Sequence, residues 1–591
     1  MRKEWFARTV LGLLSTTTLS VASAQSNDWP VASKDGSCQR FSELNQINTE
    51  NAKSLRVAWT FSTGITAGNE AAPIVVGSTM YVITPYPNIL FALDLSRDGE
   101  LKWKYEAKTN ASSQSQACCG TVCRGAAYAD GKVIFNALDG RTIAVDAETG
   151  KEAWQQTMTD YRIGDTLNMA PLIVGDKVLL GNSGSQFGAR GWIAALNVKD
   201  GKVAWKAFNT GPDADCLIGP DFKPFYAGDR GQDLGVKSWP PGKWKIGGGT
   251  VWGWISYDPQ LDLIFHGTGD PAPWNNSVRD GDNKWCSGIF ARRPSTGEAV
   301  WFYQYTPHDL YGHDGINEST VVDLELKPGE GPRKVLLHAD RNGHLYVMDR
   351  TTGEVLSATP FVRTSSYKGV DLKTGRMQFV DEKKPEVGKV VRDIAPAAPG
   401  GKDWQPSAYS PRTKLLYLPH QTLSMDFEET DVNYIAGTPY IGAKARFYAD
   451  PVDPGDGNMG RFTAWDPAAQ KAAWKITEKF PVWSGAVVTA GDVVFYGTMD
   501  RWFKAVDVRS GKELWKFHVD SGIVSQPITY AGPDGKQYVA VLSGVGGWPG
   551  AIVVRDLKPE DPSSAHGFGN AMRELPNYTS RGSTLYVFAL P

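Results

Sequence analysis

The chain has 591 residues, of which 41% are hydrophobic and 21% charged, and its formal net charge is -2. The hydrophobic fraction allows a large core and excludes a disordered chain, while the small net charge gives no reason to expect nucleic acid as a partner. The 21 tryptophans are unusual, and 63 glycines with 36 prolines indicate many turns.

The first 24 residues have the pattern of a secretory signal peptide. Arg2, Lys3 and Arg8 form a basic start, an apolar run follows, and Ala22-Ser23-Ala24 fits a small-x-small cleavage site. The run is too short to span a membrane, and no later stretch is long and apolar enough. We therefore expect an exported mature chain of residues 25–591 without a membrane span. The signal alone does not distinguish the bacterial periplasm from another secretory route.

A hairpin motif recurs from Trp59 onward. An alternating strand meets a tight Asp-x-x-x-Gly turn, and the chain returns to a tryptophan four residues after the glycine, as in AVDAETGKEAW ending at Trp154. One copy lacks the turn and one ends in leucine. The eight closing positions are Trp59, Trp103, Trp154, Trp205, Trp301, Leu356, Trp474 and Trp515.

Another pair of strands precedes most hairpins, for example in MAPLIVGDKVLLGN. Four strands per unit, repeated every ~40–50 residues, indicate the blades of a β-propeller. We predict an all-β, eight-bladed propeller in one domain, with each tryptophan packed on the next blade. The long intervals Trp205–Trp301 and Leu356–Trp474 predict insertions. The last strand, Ser583–Leu590, is predicted to pair with the strand ending at Trp59 and close the ring.

The loops between Trp252 and Gly315 are rich in groups that carry chemistry. Their acids and imidazoles are Asp270, Asp309, Asp314, His308 and His313. Loops often carry function, but Asp, Gly and Pro also form turns. For any one of these residues alone, a turn is the simpler interpretation.

Motifs along nearly the whole mature chain resemble one family. They are the Cys-Cys pair, GGGTVWGW, GTGDPAPWN, GDNKW, TPHD, ADRNG and GVGGWPG. The chain resembles the quinoprotein alcohol dehydrogenases that use pyrroloquinoline quinone (PQQ), most closely the methanol dehydrogenase large subunits. The resemblance implies an eight-bladed propeller holding PQQ over a metal ion. It also implies periplasmic oxidation of a primary alcohol to the aldehyde, with electrons passed to a soluble cytochrome c.

The resemblance also assigns roles to single residues. Cys118 and Cys119 would form a vicinal disulfide over one face of the quinone, with two unlinked thiols as the alternative, and Trp252 would stack on the other face. Arg341 would lie beside the reactive carbonyl, where its charge stabilises the reduced quinone. The other expected cofactor contacts are Glu70, Arg124, Ser183, Gly184, Ser185, Trp483 and Trp548.

The metal and proton-transfer positions depart from the family. Gln186 replaces a Glu ligand, Asp270 replaces an Asn ligand, and Gly312 stands at the position of the catalytic Asp. Asp314 matches an extra Asp of the lanthanide-dependent members. Gln186, Asp270 and Asp314 offer the oxygen ligands that Ca²⁺ or a lanthanide requires, although a site without metal stays open. Because Gly312 cannot accept a proton, we expect Asp314 or Asp270 to be the general base.

Two other functions stay open. Gly312 and Gln186 suit a PQQ-binding paralogue with weak or no alcohol oxidation, since fold does not determine function. A scaffold without quinone is the third candidate, but it would not need the Cys118–Cys119 pair, Trp252 or Arg341. The sequence leaves open the alcohol, the oligomeric state (a homodimer included) and the pairing of Cys38, Cys123, Cys216 and Cys286.

Overall fold

The structure is a computed structural model that describes residues 28–555, 557–558, 561 and 564–591. Within these residues the protein is all-β, and α-helix is limited to α1 (Leu234–Lys237), α2 (Gly547–Val554) and α3 (Phe568–Ala571). The predicted signal peptide lies outside the described residues. None of the described helices reaches the length and hydropathy of a bilayer-spanning segment.

The strands are short, and most end at turns rich in Asp and Gly. Up to residue 360 they are β1 (Phe41–Ser42), β2 (Arg56–Ser62), β3 (Ile74–Val76), β4 (Thr79–Ile83), β5 (Ile89–Asp94), β6 (Glu100–Glu106), β7 (Ala126–Ala129), β8 (Lys132–Asn136), β9 (Arg141–Asp146), β10 (Glu152–Thr157), β11 (Leu172–Val174), β12 (Lys177–Gly181), β13 (Trp192–Asn197), β14 (Val203–Phe208), β15 (Ile255–Asp258), β16 (Leu263–Thr268), β17 (Gly288–Arg292), β18 (Ala299–Gln304), β19 (Ser319–Glu325), β20 (Pro332–Ala339), β21 (His344–Asp349) and β22 (Val355–Pro360).

The remaining strands complete the chain. They are β23 (Tyr367–Asp371), β24 (Arg376–Phe379), β25 (Val390–Ile394), β26 (Ala408–Ser410), β27 (Leu415–Gln421), β28 (Leu423–Glu429), β29 (Ala443–Ala449), β30 (Gly460–Asp466), β31 (Lys471–Glu478), β32 (Ala486–Thr489), β33 (Val493–Gly497), β34 (Trp502–Asp507), β35 (Glu513–His518), β36 (Ile528–Ala531), β37 (Gln537–Leu542) and β38 (Thr584–Ala589).

In the described chain, these strands form eight sheets of four or five strands. Five sheets use consecutive strands: β3–β6, β7–β10, β11–β14, β15–β18 and β19–β22. The others are β26-β27-β30-β31, β1-β32-β33-β34-β35 and β2-β38-β37-β36. Both predicted insertions are present: mainly loops with α1 between β14 and β15, and the small sheets β23-β24 and β25-β28-β29 after β22.

Turn chemistry explains the recurrent hairpin, as β9 and β10 show. The Asp146 carboxylate accepts the Thr149 backbone N–H at 2.8 Å. The Gly150 N–H donates to the Asp146 carbonyl at 2.9 Å, and Gly150 has the left-handed φ of 70° that favours glycine. The Asp-x-x-x-Gly spacing therefore reverses the chain and returns it as β10.

The closing tryptophans contact the next repeat. A Cβ added to Gly201, in the turn after β13, would lie 2.5 Å from the Trp154 ring, so the turn of that repeat is in tight contact with the indole. Several of these indoles also donate their N–H to a carbonyl of the following repeat: Trp103 to Ala147 (3.2 Å), Trp154 to Val198 (3.0 Å), Trp205 to Pro294 (2.9 Å), Trp474 to Val508 (3.0 Å) and Trp515 to Leu55 (3.1 Å).

The last strand shares a sheet with a strand from near the start of the described chain. β2 pairs antiparallel with β38, with Trp59 opposite Val587, so the predicted pairing of the last strand with the strand that contains Trp59 is present. Neighbouring sheets pack face to face through small and branched apolar side chains. Ile83 and Leu90 of one sheet, for example, share a buried cluster with Val133 and Ile143 of the next.

Candidate active site

Side chains that precede the first strand of successive sheets converge on one cavity. The same place in the repeat supplies a cavity residue in seven sheets: Glu70, Arg124, Asn168, Trp252, Asp314, Trp404 and Trp483. Because each repeat presents its first strand in the same way, residues far apart in sequence become neighbours. Further lining residues come from loops and from α2.

The cavity contains all but two of the site residues that the sequence predicted. Cys118, Cys119, Ser183, Gly184, Gln186, Arg341 and Trp548 join the predicted residues named above in its lining. Ser185 is buried, and its hydroxyl shares a hydrogen bond with the Thr250 hydroxyl at 2.8 Å. Asp270 does not line the cavity, but its backbone N–H donates to the lining residue Asp314 at 2.6 Å.

One side of the cavity, which we call the arginine wall, consists of Glu70, Arg124, Trp252 and Trp404. The Arg124 guanidinium carbon lies 4.8 Å from the ring centroids of both Trp252 and Trp404. Its Nε lies 3.1 Å from the Glu70 carboxylate. Burial raises the pKa of Glu70 to about 7, although the positive charge of Arg124 opposes the shift. The wall therefore combines aromatic faces with a buried, charged guanidinium.

A second cluster, which we call the acidic corner, consists of Asp270, Trp274, Gly312 and Asp314. Trp274 and Asp314 line the cavity, and Asp270 and Gly312 contact these two residues. The Trp274 indole N–H donates to Asp270 Oδ2 at 2.6 Å, and Asp314 Oδ1 accepts the Asp270 N–H. Burial raises the pKa of Asp270 well above its usual value, and the nearby Asp314 raises it further. Burial also raises the pKa of Asp314, but the Arg341 charge opposes that shift.

Arg341 connects the two sides. Its two terminal nitrogens lie 2.8 Å from the carboxylates of Asp314 and Asp403. The guanidinium carbon is also 5.1 Å from the Trp252 ring centroid. All three charged side chains are almost fully buried, so each carboxylate depends on this one cation for compensation.

The other acid and imidazoles of the 252–315 loops have structural roles. The Asp309 carboxylate accepts the backbone N–H groups of Gly312 and His313, both at 2.9 Å, and so holds the turn. The His313 ring bonds the Tyr367 hydroxyl at 2.6 Å and the Ala397 carbonyl at 3.0 Å. The His308 ring bonds the Gly281 carbonyl at 2.7 Å. Asp309 therefore acts as a turn former, and the two imidazoles connect their loop to other segments of the chain.

The vicinal cysteines lie together at the cavity as free thiols. Their sulfurs are 2.7 Å apart, whereas a disulfide bond is about 2.05 Å long, and Cys119 has a left-handed φ of 61°. The disulfide stays a prediction. The other four cysteines are buried free thiols: Cys38, Cys123, Cys216 and Cys286.

The donor set at the acidic corner is made of oxygens. Gln186 and Asp314 both line the cavity, and the Asp270 Oδ1 atom has no hydrogen-bond partner within the described chain. No group of three or more His, Cys, Asp or Glu residues is placed to hold a metal among the described residues. A cation here would need the Gln186 amide as well as Asp270 and Asp314, and oxygen ligands of this kind suit a hard cation.

Several other buried polar atoms at the cavity also have no hydrogen-bond partner in the part of the chain that the structure describes. Asn168 Oδ1, Arg341 Nε and Trp483 Nε1 have no ion-pair partner in that part of the chain either, whereas Glu70 Oε2 and Arg124 Nε pair with each other and Asp314 Oδ2 pairs with Arg341. Buried polar atoms are normally satisfied, so this concentration points to a polar ligand. PQQ, a planar tricarboxylate quinone, fits a cavity that offers two guanidinium groups, indole faces and unpaired donors.

Several lining residues are not among the contacts expected from the sequence. They are Asn168, Trp274, Asp403, Trp404, Ile441 and His566. The repeat position just before a first strand would have indicated Asn168 and Trp404. The repeat pattern does not predict the other four, because they lie in insertions, in loops between strands or in the segment after α2.

Comparisons with known proteins agree with this geometry. Residues 29–365 and 457–539 match the family model "PQQ: Glucose/ethanol/alcohol dehydrogenase, beta-propeller domain". The lanthanide-dependent methanol dehydrogenase of Methylacidiphilum fumariolicum (strain SolV) is 46% identical over 590 residues, covering 98% of this chain and 96% of the relative. Methanol dehydrogenase [cytochrome c] subunit 1 of Paracoccus denitrificans is 40% identical, covering 98% of this chain and 94% of the relative.

A solved structure is similar over nearly its whole length. The europium-containing methanol dehydrogenase superposes with a TM-score of 0.93 at 47% identity, covering 95% of this chain and 98% of that chain.

Proposed function

The chain belongs to the PQQ-dependent alcohol dehydrogenase family, and we propose that it is a periplasmic enzyme that oxidises a primary alcohol to the aldehyde and passes electrons to a cytochrome c. The convergence of Arg124, Arg341, Trp252 and the Cys118–Cys119 pair on one cavity carries the proposal. The relatives named for methanol oxidation and for cytochrome c support the substrate class and the acceptor. Export rests on the predicted signal peptide.

For the fold we propose an eight-bladed propeller that forms one domain over residues 25–591. Eight sheets of the described chain, the β2–β38 pairing and the tryptophan contacts between repeats support it. In this arrangement each indole docks on the next blade and the paired terminal strands close the ring, which removes exposed sheet edges.

The proposed role of the cavity side chains is to bind and orient PQQ. Trp252 provides a ring face, Cys118 and Cys119 a lid, and Arg124 and Arg341 positive charge for carboxylates or carbonyl oxygens. The atoms of Asn168, Arg341 and Trp483 that have no partner in the described chain offer further hydrogen bonds. Glu70, Ser183, Gly184 and Trp548 are the other proposed cofactor contacts. When bound, PQQ accepts the two electrons and the hydrogen removed from the alcohol carbon.

Gln186, Asp270 and Asp314 would hold Ca²⁺ or a lanthanide, which acts as a Lewis acid. The relatives named as lanthanide-dependent or europium-containing favour a lanthanide. The metal site of these relatives cannot simply be carried over to this chain, because Asp314 already forms an ion pair with Arg341 at 2.8 Å. Of the carboxylate oxygens in this set, Asp314 Oδ2 has only its ion pair with Arg341, whereas Asp270 Oδ1 has neither a hydrogen bond nor an ion pair within the described residues.

Between the two candidate bases, the geometry favours Asp270. Asp314 has one oxygen on the Asp270 N–H and the other on Arg341, whereas Asp270 keeps Oδ1 without a partner among the described residues. A general base needs an oxygen free to take the hydroxyl proton. In this assignment Asp314 and Arg341 neutralise each other's charge next to Asp270.

Gly312 favours a second candidate, a PQQ-binding paralogue with weak or no alcohol oxidation. One assay separates the two functions: dye-linked oxidation of several primary alcohols by the full chain reconstituted with PQQ and Ca²⁺ or La³⁺. Turnover supports the dehydrogenase. Quinone absorbance on the protein without turnover of any alcohol supports the paralogue, and no bound quinone would contradict both.

A further inference from the structure

Gly312 lies where a neighbouring indole leaves no room for a side chain. Its φ is +77°, and an added Cβ would lie 2.7 Å from Cε2 and 2.8 Å from Nε1 of Trp274. Carbon atoms in van der Waals contact are about 3.5–4.0 Å apart. Any side chain at position 312 and the observed placement of the Trp274 indole therefore exclude each other.

Gly312 and Trp274 are each held in place by hydrogen bonds to other segments of the chain. The Gly312 N–H donates to Asp309 at 2.9 Å, and its carbonyl accepts from Arg341 at 3.1 Å. The Trp274 backbone N–H donates to the Ile441 carbonyl at 2.7 Å. A clash at position 312 would move the indole, since the backbone around Gly312 is tied on both sides.

The indole in this position restrains a buried carboxylate. Trp274 Nε1 donates to Asp270 Oδ2 at 2.6 Å, and Asp270 is 1% exposed. The other carboxylate oxygen, Oδ1, has no hydrogen-bond partner in the described part of the chain. One tethered oxygen fixes the plane of the carboxylate and leaves the second oxygen available to a ligand.

We propose that Trp274 is a positioning residue for Asp270, and that Gly312 is required because only a residue without a side chain leaves space for the indole. The inference rests on the proposed function, in which Asp270 serves as metal ligand or base. The inference gives Gly312 a role of its own. The acidic corner has no carboxylate at position 312, but it has one at position 270 that the Trp274 indole orients.

The first test removes the hydrogen bond without adding atoms. La³⁺ and Ca²⁺ are titrated calorimetrically into the PQQ-loaded full chain and into its Trp274→Phe variant. Outer-shell partners of metal ligands typically contribute 10–100-fold in affinity or activity, so we expect La³⁺ or Ca²⁺ to bind about tenfold more weakly. The value of kcat should fall more than KM changes. Unchanged affinity and unchanged kcat would overturn the proposal.

The second test uses Gly312→Ala, with Gly131→Ala as the matched control. Gly131 also has a left-handed φ, +70°, but an added Cβ meets nothing within 4 Å. In ¹H–¹⁵N spectra of protein labelled at the indole nitrogen, the Trp274 signal is the one missing from Trp274→Phe. We expect that signal to shift in Gly312→Ala and in Asp270→Asn, and to stay in place in Gly131→Ala. A Trp274 signal unmoved by Gly312→Ala would refute the exclusion argument.

The two tests separate this inference from the proposed function. If the wild-type protein binds metal and PQQ but oxidises no alcohol, the dehydrogenase proposal fails, whereas the metal affinities and the indole signal still decide the role of Trp274. If the wild-type protein turns over and both readouts are insensitive to Trp274 and Gly312, the positioning role fails alone.

Discussion

The arginine wall and the acidic corner face the same cavity but differ in how their polar groups are satisfied. On the wall, the buried Glu70 carboxylate lies 3.1 Å from Arg124, so each charge has a counter-ion. In the corner, Asp270 has an indole for one oxygen and no partner for the other within the described residues. A buried polar atom without a partner costs free energy, so we expect the wall to orient a cofactor and the corner to take part in the reaction.

The largest expected effect tests whether the corner is the reactive side. Asp270→Asn removes the proposed base and should lower kcat by about 10²–10⁴-fold, the usual contribution of general base catalysis. Asp314→Asn should cost less, because one Asp314 oxygen accepts the Asp270 N–H and the other is in an ion pair with Arg341. Both variants are assayed with PQQ and saturating metal, and bound metal is measured in each. A larger loss in Asp314→Asn would reverse the assignment.

The sequence predicted three of the corner's four members, but neither Trp274 nor the bonding among them. The motifs placed Asp270, Asp314 and Gly312 near each other, whereas the donation from Trp274 to Asp270 depends on the rotamer of one indole. Asp403 was missed for a similar reason: its importance comes from sharing Arg341 with Asp314, a residue 89 positions earlier in the chain.

The repeats were more predictable, because their signals are local. An Asp-x-x-x-Gly turn sets its own hydrogen bonds, as Asp146 and Gly150 show, and a tryptophan at fixed spacing then meets the next repeat. The same repeat pattern could have predicted cavity residues that precede a first strand, such as Asn168 and Trp404. His566 was not, since it follows α2 outside any repeat and has a left-handed φ of 49° that no motif predicts.

The next prediction removes the cation that connects wall and corner. Arg341→Ala would leave Asp314 and Asp403 buried without a counter-ion, and breaking a buried pair typically costs about 3–5 kcal/mol. Arg341→Lys keeps one charge but not the fork that reaches both carboxylates, so it should lose less. Urea unfolding of the PQQ-free proteins measures the difference. Equal stability of the alanine variant and the wild type would contradict the dependence of the two carboxylates on Arg341.

A smaller effect concerns the pH dependence of the wall. The folded-state pKa of Glu70 is raised from 4.5 to about 7, so between these pH values the folded protein keeps a proton that the unfolded chain releases. This contribution to stability therefore falls as pH rises through that window, by on the order of 3 kcal/mol. Glu70→Gln should remove it.

The measurement for Glu70 is the free energy of unfolding of the PQQ-free protein at several pH values from 4.5 to 8. The difference between wild type and Glu70→Gln isolates the contribution of this carboxyl from the titration of other groups. A difference that stays constant with pH would contradict the raised pKa and would indicate that Arg124 keeps Glu70 ionised.

The smallest expected effect separates serines that resemblance alone placed in the same role. Ser183 lines the cavity, whereas the Ser185 hydroxyl bonds Thr250 at 2.8 Å and does not line it. Ser185→Ala should therefore cost about 1 kcal/mol of stability, the usual contribution of one hydrogen bond, and leave PQQ affinity within about twofold. Ser183→Ala should weaken PQQ binding more than it changes stability. Quinone titrations and urea unfolding of both variants make the comparison, and a loss of PQQ affinity in Ser185→Ala would show that Ser185 contacts the cofactor.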